Sequence, residues 1–309
     1  PPAKREGLTR LDLAKWLVGD QNPLASRVLA NRLWAEMFGR GIVETLEDFG
    51  TSGARPTHPE LLDHLALRLR GDLRWSVKAF LREIALSATY SQSSRATPRL
   101  LEKDFANRLY ARGPRTRLTA EMVRDQALAI SGVLSEKSFG PPVYPPQPDG
   151  IWANVYSGEK WNTSNGEDRY RRGIYTYSRR TSGYPMFLTF DAPMRDTCTA
   201  RRMPSNTPLQ ALTVLNDPAF LEMADALADR MEKEGGGSPR AMIERACRWW
   251  TLEPPPRAMV DSLMKLYEGA REDLRSDPKS SDKLATTPAK AALVVVANTL
   301  LNLDGSLTR

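Results

Sequence analysis

The densest chemistry in the chain lies between Asp168 and Asp217, DRYRRGIYTYSRRTSGYPMFLTFDAPMRDTCTARRMPSNTPLQALTVLND. Arg169, Arg171, Arg172, Arg179, Arg180, Arg195, Arg201 and Arg202 are interleaved there with Tyr170, Tyr175, Tyr177 and Tyr184. A guanidinium grips carboxylate, sulfate or phosphate with a planar fork, and an aromatic face offers a stacking platform. The set suits an anionic sugar, with Arg171, Arg172, Arg201 and Arg202 as forks and Tyr175 or Tyr177 beneath the ring. Nucleic acid would be held by similar means, but no helix-turn-helix, RNP or zinc-finger pattern accompanies the run, so no nucleic-acid partner is expected.

For catalysis the candidates are Asp168, Asp191, Asp196, His58 and Glu60, with Arg172 or Arg201 to stabilise developing negative charge. Two carboxylates at a suitable separation would hydrolyse a glycosidic bond, although distance along the chain does not fix distance in space. The same residues have an architectural reading, a buried ion-pair network locking helical lobes together. The two histidines, His58 and His64, stand six positions apart, which does not place both rings on one helical face, and H-E-x-x-H is absent. A zinc protease is thereby excluded. His58 reads as a cap or a hydrogen-bonded structural group, with acid or base catalysis as its alternative.

Cys198 and Cys247 are the two cysteines, too few for a disulfide framework or a four-thiolate zinc site. Cys247, beside Ile243, Ala246 and Trp250 on a helical face, reads as an unpaired core residue. Glu44, Glu47 and Asp48 crowd one loop but lack the Asp/Asn spacing of a calcium site, so no metal is expected. Without C-x-x-C-H the chain holds no covalent c-type haem and no cofactor of its own. The net charge is +7, carried by 33 Arg against 11 Lys. That bias favours forked recognition of anions over simple point-charge attraction.

The elements that must position these groups are helices. Thr9, Asn22, Thr57, Ser76 and Thr119 read as helix starts, as do Thr207, Asp217, Ser238 and Thr287, each of which is followed by proline. Thr57 to Glu60 has the capping-box pattern, and Thr207-Pro208-Leu209-Gln210 is nearly ideal for initiation. Five prolines between Pro141 and Pro148 make a stiff extended connector. Tyr170 to Ser178 alternates well enough for a short strand in a small hairpin. The expected fold is mainly α: an N-terminal helical lobe over 1–140, a mixed connector over 141–206 and a C-terminal helical lobe over 207–309. The longest apolar run, Ala289 to Leu303, is interrupted by Asn298 and Asn302, so no membrane span is expected.

YRRGIYTYSRRTSGYPMFLTFDAPMRDTCTARRMPSNTPLQALTVLND also resembles the central block of a planctomycete-type domain of unknown function. NPLASRVLANRLWAEMFGRGIVETLEDFG from Asn22, HPELLDHLA from His58 and the C-terminal ANTLLNLDGSLTR resemble that family in the same order. The resemblance implies an excised domain that closes a large exported protein, working outside the cytoplasm. It also implies neighbouring cytochrome c domains, with any haem in those domains. Three functional expectations follow: a non-catalytic module that binds an anionic polysaccharide or docks a neighbouring domain, a glycan-acting hydrolase or lyase, and a purely structural domain.

Overall fold

A computed structural model describes residues 7–152, 158, 160–251 and 253–308. Fourteen α-helices and no β-strand occur among the described residues. They fall into two compact units, Pro1–Thr116 and Arg117–Arg309. The division therefore lies before the proline connector expected to part the lobes. The helix Ala120–Ser131 explains why, because its buried Val123, Ala127 and Leu128 belong to the core of the second unit.

The first unit holds α1 (Arg10–Val18), α2 (Leu24–Phe38), α3 (Pro59–Arg70), α4 (Val77–Ala85) and α5 (Pro98–Lys103). Thr9 forms a full capping box with Asp12, and Asn22 Oδ1 accepts from the amides of Leu24 and Ala25 to start α2. Helix α2 packs on α3 and α4 through Trp34, Phe38, Leu62, Leu65, Phe80 and Ile84. Gly39, at φ +72, ends α2 in the left-handed conformation that glycine adopts without strain. Fully buried Asn31 then clamps the departing chain, accepting from Val43 N at 2.8 Å and donating to Val43 O at 2.9 Å.

The second unit holds α6 (Ala120–Ser131), α7 (Pro185–Thr189), α8 (Pro208–Asn216), α9 (Pro218–Glu234), α10 (Pro239–Thr251), α11 (Arg257–Ser276), α12 (Pro278–Leu284), α13 (Pro288–Asn302) and α14 (Asp304–Leu307). Helices α9 and α13 lie at its centre, with α6, α8, α10 and α11 packed around them. Cys247 is fully buried in this core, Cys198 is exposed, and both thiols are free. No single helix among the described residues is long and apolar enough to cross a membrane. The apolar α13 spends its side chains on the core instead.

Two local expectations fail for identifiable reasons. The hairpin over Tyr170 to Ser178 is replaced by two 3₁₀ turns, Gly166–Tyr170 and Gly173–Tyr175, with single bridges Ser135 to Arg171 and Val143 to Thr176. Val143 N donates to Tyr175 O and Val143 O accepts from Tyr177 N, but Pro141, Pro142, Pro145 and Pro146 flank Val143 and have no N–H to extend a ladder. The second failure concerns caps. Thr207 precedes α8 without making a side-chain cap bond, and Thr57 turns its hydroxyl to the Ile42 carbonyl at 3.3 Å instead of closing a box at α3.

Candidate functional site

The proline connector is fixed first by aromatics. Its residues keep carbonyls that need donors, and Trp161 Nε1 and Tyr184 Oη each supply one, to Pro145 and Pro146, both at 2.7 Å. The Trp161 and Tyr184 rings stack with centroids 5.7 Å apart. Tyr177 lies against Tyr144 at 5.0 Å and Trp152 at 6.1 Å. Tyr177 therefore spends much of its ring on this wall.

Arg171 is turned inward. At 1% exposure, it donates to the carbonyls of Lys137, Phe139 and Pro141 at 3.2, 2.5 and 3.3 Å. Its guanidinium also lies 3.9 Å above the Tyr175 ring, and Tyr175 Oη accepts from Phe139 N. Three of its donors and the face of its proposed stacking partner are committed to closing the 137–141 loop. Asp168 meets Lys137 at 2.9 Å and Arg171 at 3.8 Å. Asp191, at φ +60, accepts from the Ser205 amide at 2.6 Å and the Ser205 hydroxyl at 2.8 Å, pinning the segment that enters α8. Asp196 is exposed and accepts from Thr197 N.

Arg172 and Arg202 are thirty residues apart in sequence but pair with neighbouring positions on α6. Arg202 forks onto Glu121 at 2.5 and 3.0 Å, and Arg172 Nε stands 3.5 Å from Asp125. Glu121 and Asp125 are one helical turn apart, so the two arginines meet the same face. Burial raises the Asp125 carboxyl above its ordinary value, and the Gly173 N–H only partly offsets this. Burial also pushes Glu121 upward, but the Arg202 fork overrides it and the carboxyl ends below its ordinary range. Glycine allows a close approach here, since a Cβ at position 173 would come within 3.1 Å of the Glu121 Cα.

Beside this face is a shallow recess of about 20 Å³. Tyr177, Arg179, Arg195 and Glu121 are among its lining residues. The arm from Met194 to Pro204 that borders it is exposed throughout and carries Arg195, Arg201 and Arg202. The structure therefore separates the expected ligand set. Arg171 is internal and half-buried Tyr175 gives it a ring face, whereas Arg172, Arg201 and Arg202 stand at the surface with Tyr177 beside the recess. Arg179 and Arg195 join them, and Glu121 and Asp125 are additional. In sequence the two carboxylates announce themselves only as an i, i+4 acidic pair on α6.

A larger cavity, about 320 Å³, lies within the first unit. His58 and His64 both line it, together with Trp34, Leu65, Glu83 and Tyr110. Sequence spacing had separated the histidines; His58 precedes α3 and escapes its helical register. His58 Nδ1 is 2.9 Å from Thr57 Oγ1, and its ring lies 5.5 Å from that of Tyr110. Tyr110 holds an unusual φ of +52, and burial raises its phenol above the ordinary value. Arg68 grips Glu83 with two bonds, at 3.2 and 2.9 Å. Glu60, in the first turn of α3, faces solvent.

The architecture defines a mainly helical domain in which an arginine-rich segment is threaded between helices. Residues 9–267 match PSD1, a protein family of unknown function (DUF1553), and the chain belongs to that family. Neither a curated protein nor a solved structure gives a significant match.

Proposed function

We propose that this domain is a non-catalytic recognition module that binds an anionic polysaccharide across the recess lined by Tyr177, Arg179 and Arg195 and along the exposed arm that carries Arg201 and Arg202. The observation that supports it most is the convergence of forked cations and an aromatic edge at one exposed place, drawn from segments 176–179 and 194–202. A recess of about 20 Å³ cannot enclose a sugar ring, so the ligand would lie along the surface as a polymer does. Arg172 and Arg202, held by carboxylates on α6, extend the cationic border. In this reading the domain serves an exported parent protein, outside the cytoplasm, and haem belongs to neighbouring domains.

Calorimetry with dextran sulfate and neutral dextran tests the reading. The sulfated polymer should bind with strong salt dependence and the neutral one should not. Replacing Arg179 and Arg195 together by Lys should weaken binding despite retained charge, because the fork is lost. Equal affinity for both polymers, or Lys variants that bind as wild type, would remove the proposal.

A second reading is favoured by one observation, the opposed shifts of Glu121 and Asp125 on one helical face. Carboxyls held apart in this way suit an acid and a base, and would make a glycan hydrolase of the same face. Release of reducing ends from an anionic polysaccharide, abolished by both Glu121→Gln and Asp125→Asn, would select it. No release by wild type rejects it.

A further inference from the structure

The cavity of the first unit has polar properties that can be worked out from its hydrogen bonds. Thr57 Oγ1 donates to the Ile42 carbonyl at 3.3 Å, so its oxygen has only acceptor capacity left for His58. That arrangement suits a proton on Nδ1 of His58, 2.9 Å from Thr57 Oγ1. Nε2 then bears the lone pair, and it has no partner among the described residues. The Tyr110 hydroxyl is spent on the Arg40 carbonyl at 3.4 Å. Glu83 takes a two-point grip from Arg68, which also pairs with Asp72.

Around His58 the walls are in part aromatic and aliphatic, and His64, Glu83, Ser87 and Thr89 add polar groups to the lining. The rings of Trp34 and Tyr110 meet edge-on at 5.2 Å, which stiffens one side, and Leu65 and Ile84 contribute another. At about 320 Å³ the space lies at the lower end of the range for small-molecule sites. Tyr110, held at φ +52, marks a place where the fold maintains an unfavourable backbone to keep a ring in position.

We propose that this cavity is a binding site for a small, uncharged hydroxy-aromatic compound whose O–H donates to His58 Nε2. Aromatic and aliphatic walls select the ring, and the acceptor nitrogen selects a donor group. An anion finds no free guanidinium here, because Arg68 is engaged by Glu83 and Asp72. The site is distinct from the arginine border of the second unit, and its ligand class is of the opposite kind.

The chain has only two histidines, so nitrogen NMR of the imidazoles reads the site directly, with His64→Gln supplying the assignment. Free protein should show His58 in the Nδ1–H form. Titration of 2-naphthol into the whole chain should shift His58 Nε2 to saturation. Its methyl ether, which lacks the donor, should bind about tenfold more weakly, the worth of one well-made hydrogen bond. Thr89→Trp, at the cavity wall, should abolish the shift; if that variant does not fold, the naphthol and ether comparison on the native chain still decides. An Nε2–H tautomer, an unmoved His58 at saturating naphthol, or equal binding of the ether would overturn the proposal.

Discussion

Arg171 and His58 sit in the two units as opposites. Arg171 is the more conspicuous in sequence, one of eight arginines in the central run, yet its donors close on three carbonyls and its face on Tyr175. His58 belongs to a stretch that reads as an ordinary helix start. It uses one ring nitrogen on Thr57 and leaves the other at a cavity wall. The density of reactive groups along a chain thus does not measure what is left for a ligand. A guanidinium with five donors is well suited to gathering the carbonyls of a loop that lacks regular structure, and that use takes three of them.

The largest test of this contrast is to remove a saturated arginine and its exposed neighbour. Arg171→Met removes a buried guanidinium that holds the carbonyls of Lys137, Phe139 and Pro141 and stacks on Tyr175. It should cost about 3–5 kcal/mol, the range for breaking buried charged contacts. Arg172→Met removes an exposed guanidinium 3.5 Å from half-buried Asp125, whose carboxyl keeps the Gly173 N–H, and should cost about 1 kcal/mol or less. Urea denaturation of both variants gives the comparison. Similar losses would mean that burial does not distinguish architecture from surface in this run.

The second test concerns pH. Asp217 is buried where it starts α9, accepting from Ala219 N, and burial raises its carboxyl to about 6, with the Arg124 charge offsetting only part of the effect. A carboxyl raised in the folded state binds more protons there than in the unfolded chain. Its contribution is therefore most favourable below about 4 and is lost as pH rises through about 6, by roughly 3 kcal/mol at most. Asp63 of the first unit has the opposite sign, since the hydrogen bond from Arg27 lowers its carboxyl and its contribution disappears on acidification. Asp217→Asn keeps the cap acceptor and should be more stable than wild type at pH 7 while losing the decline between pH 4 and 6. Parallel unfolding curves for the two proteins at every pH would refute the assignment.

Much of the helical frame was legible because caps act locally. Thr9, Asn22, Ser76, Thr119 and Asp217 all satisfy nearby amides as their sequence contexts imply. The hairpin was misread because side-chain alternation reports one segment only, whereas a ladder needs donors from the partner, and the partner is proline-rich. The sites were less legible still. Nothing in the spacing of Arg171 and Arg172 tells which of two adjacent arginines turns inward; that depends on a loop thirty residues upstream. The histidine cavity closes through Tyr110, far along the chain. Arg124 of α6, whose type marks it for the surface, is 1% exposed and donates to the Arg169 carbonyl.

The smallest expected effects come from two threonines that share one sequence reading and differ in structure. Thr57 and Thr207 both stand before a proline-initiated helix, and neither makes a side-chain cap bond. Thr57 instead links the Ile42 carbonyl to the His58 ring, so Thr57→Val should cost about 1 kcal/mol and release the imidazole from its single tautomer. Thr207 has no such second use, and Thr207→Ala should change stability by a few tenths of a kcal/mol or less. Thr287, which does accept from Lys290 N, supplies the control: Thr287→Ala should cost about 1 kcal/mol. Denaturation midpoints order the three, and nitrogen NMR of His58 separates Thr57 from the rest. If Thr57→Val leaves the ring in the Nδ1–H form, the hydroxyl does not set the tautomer, and the cavity loses the feature that distinguishes it from the spent arginines of the other unit.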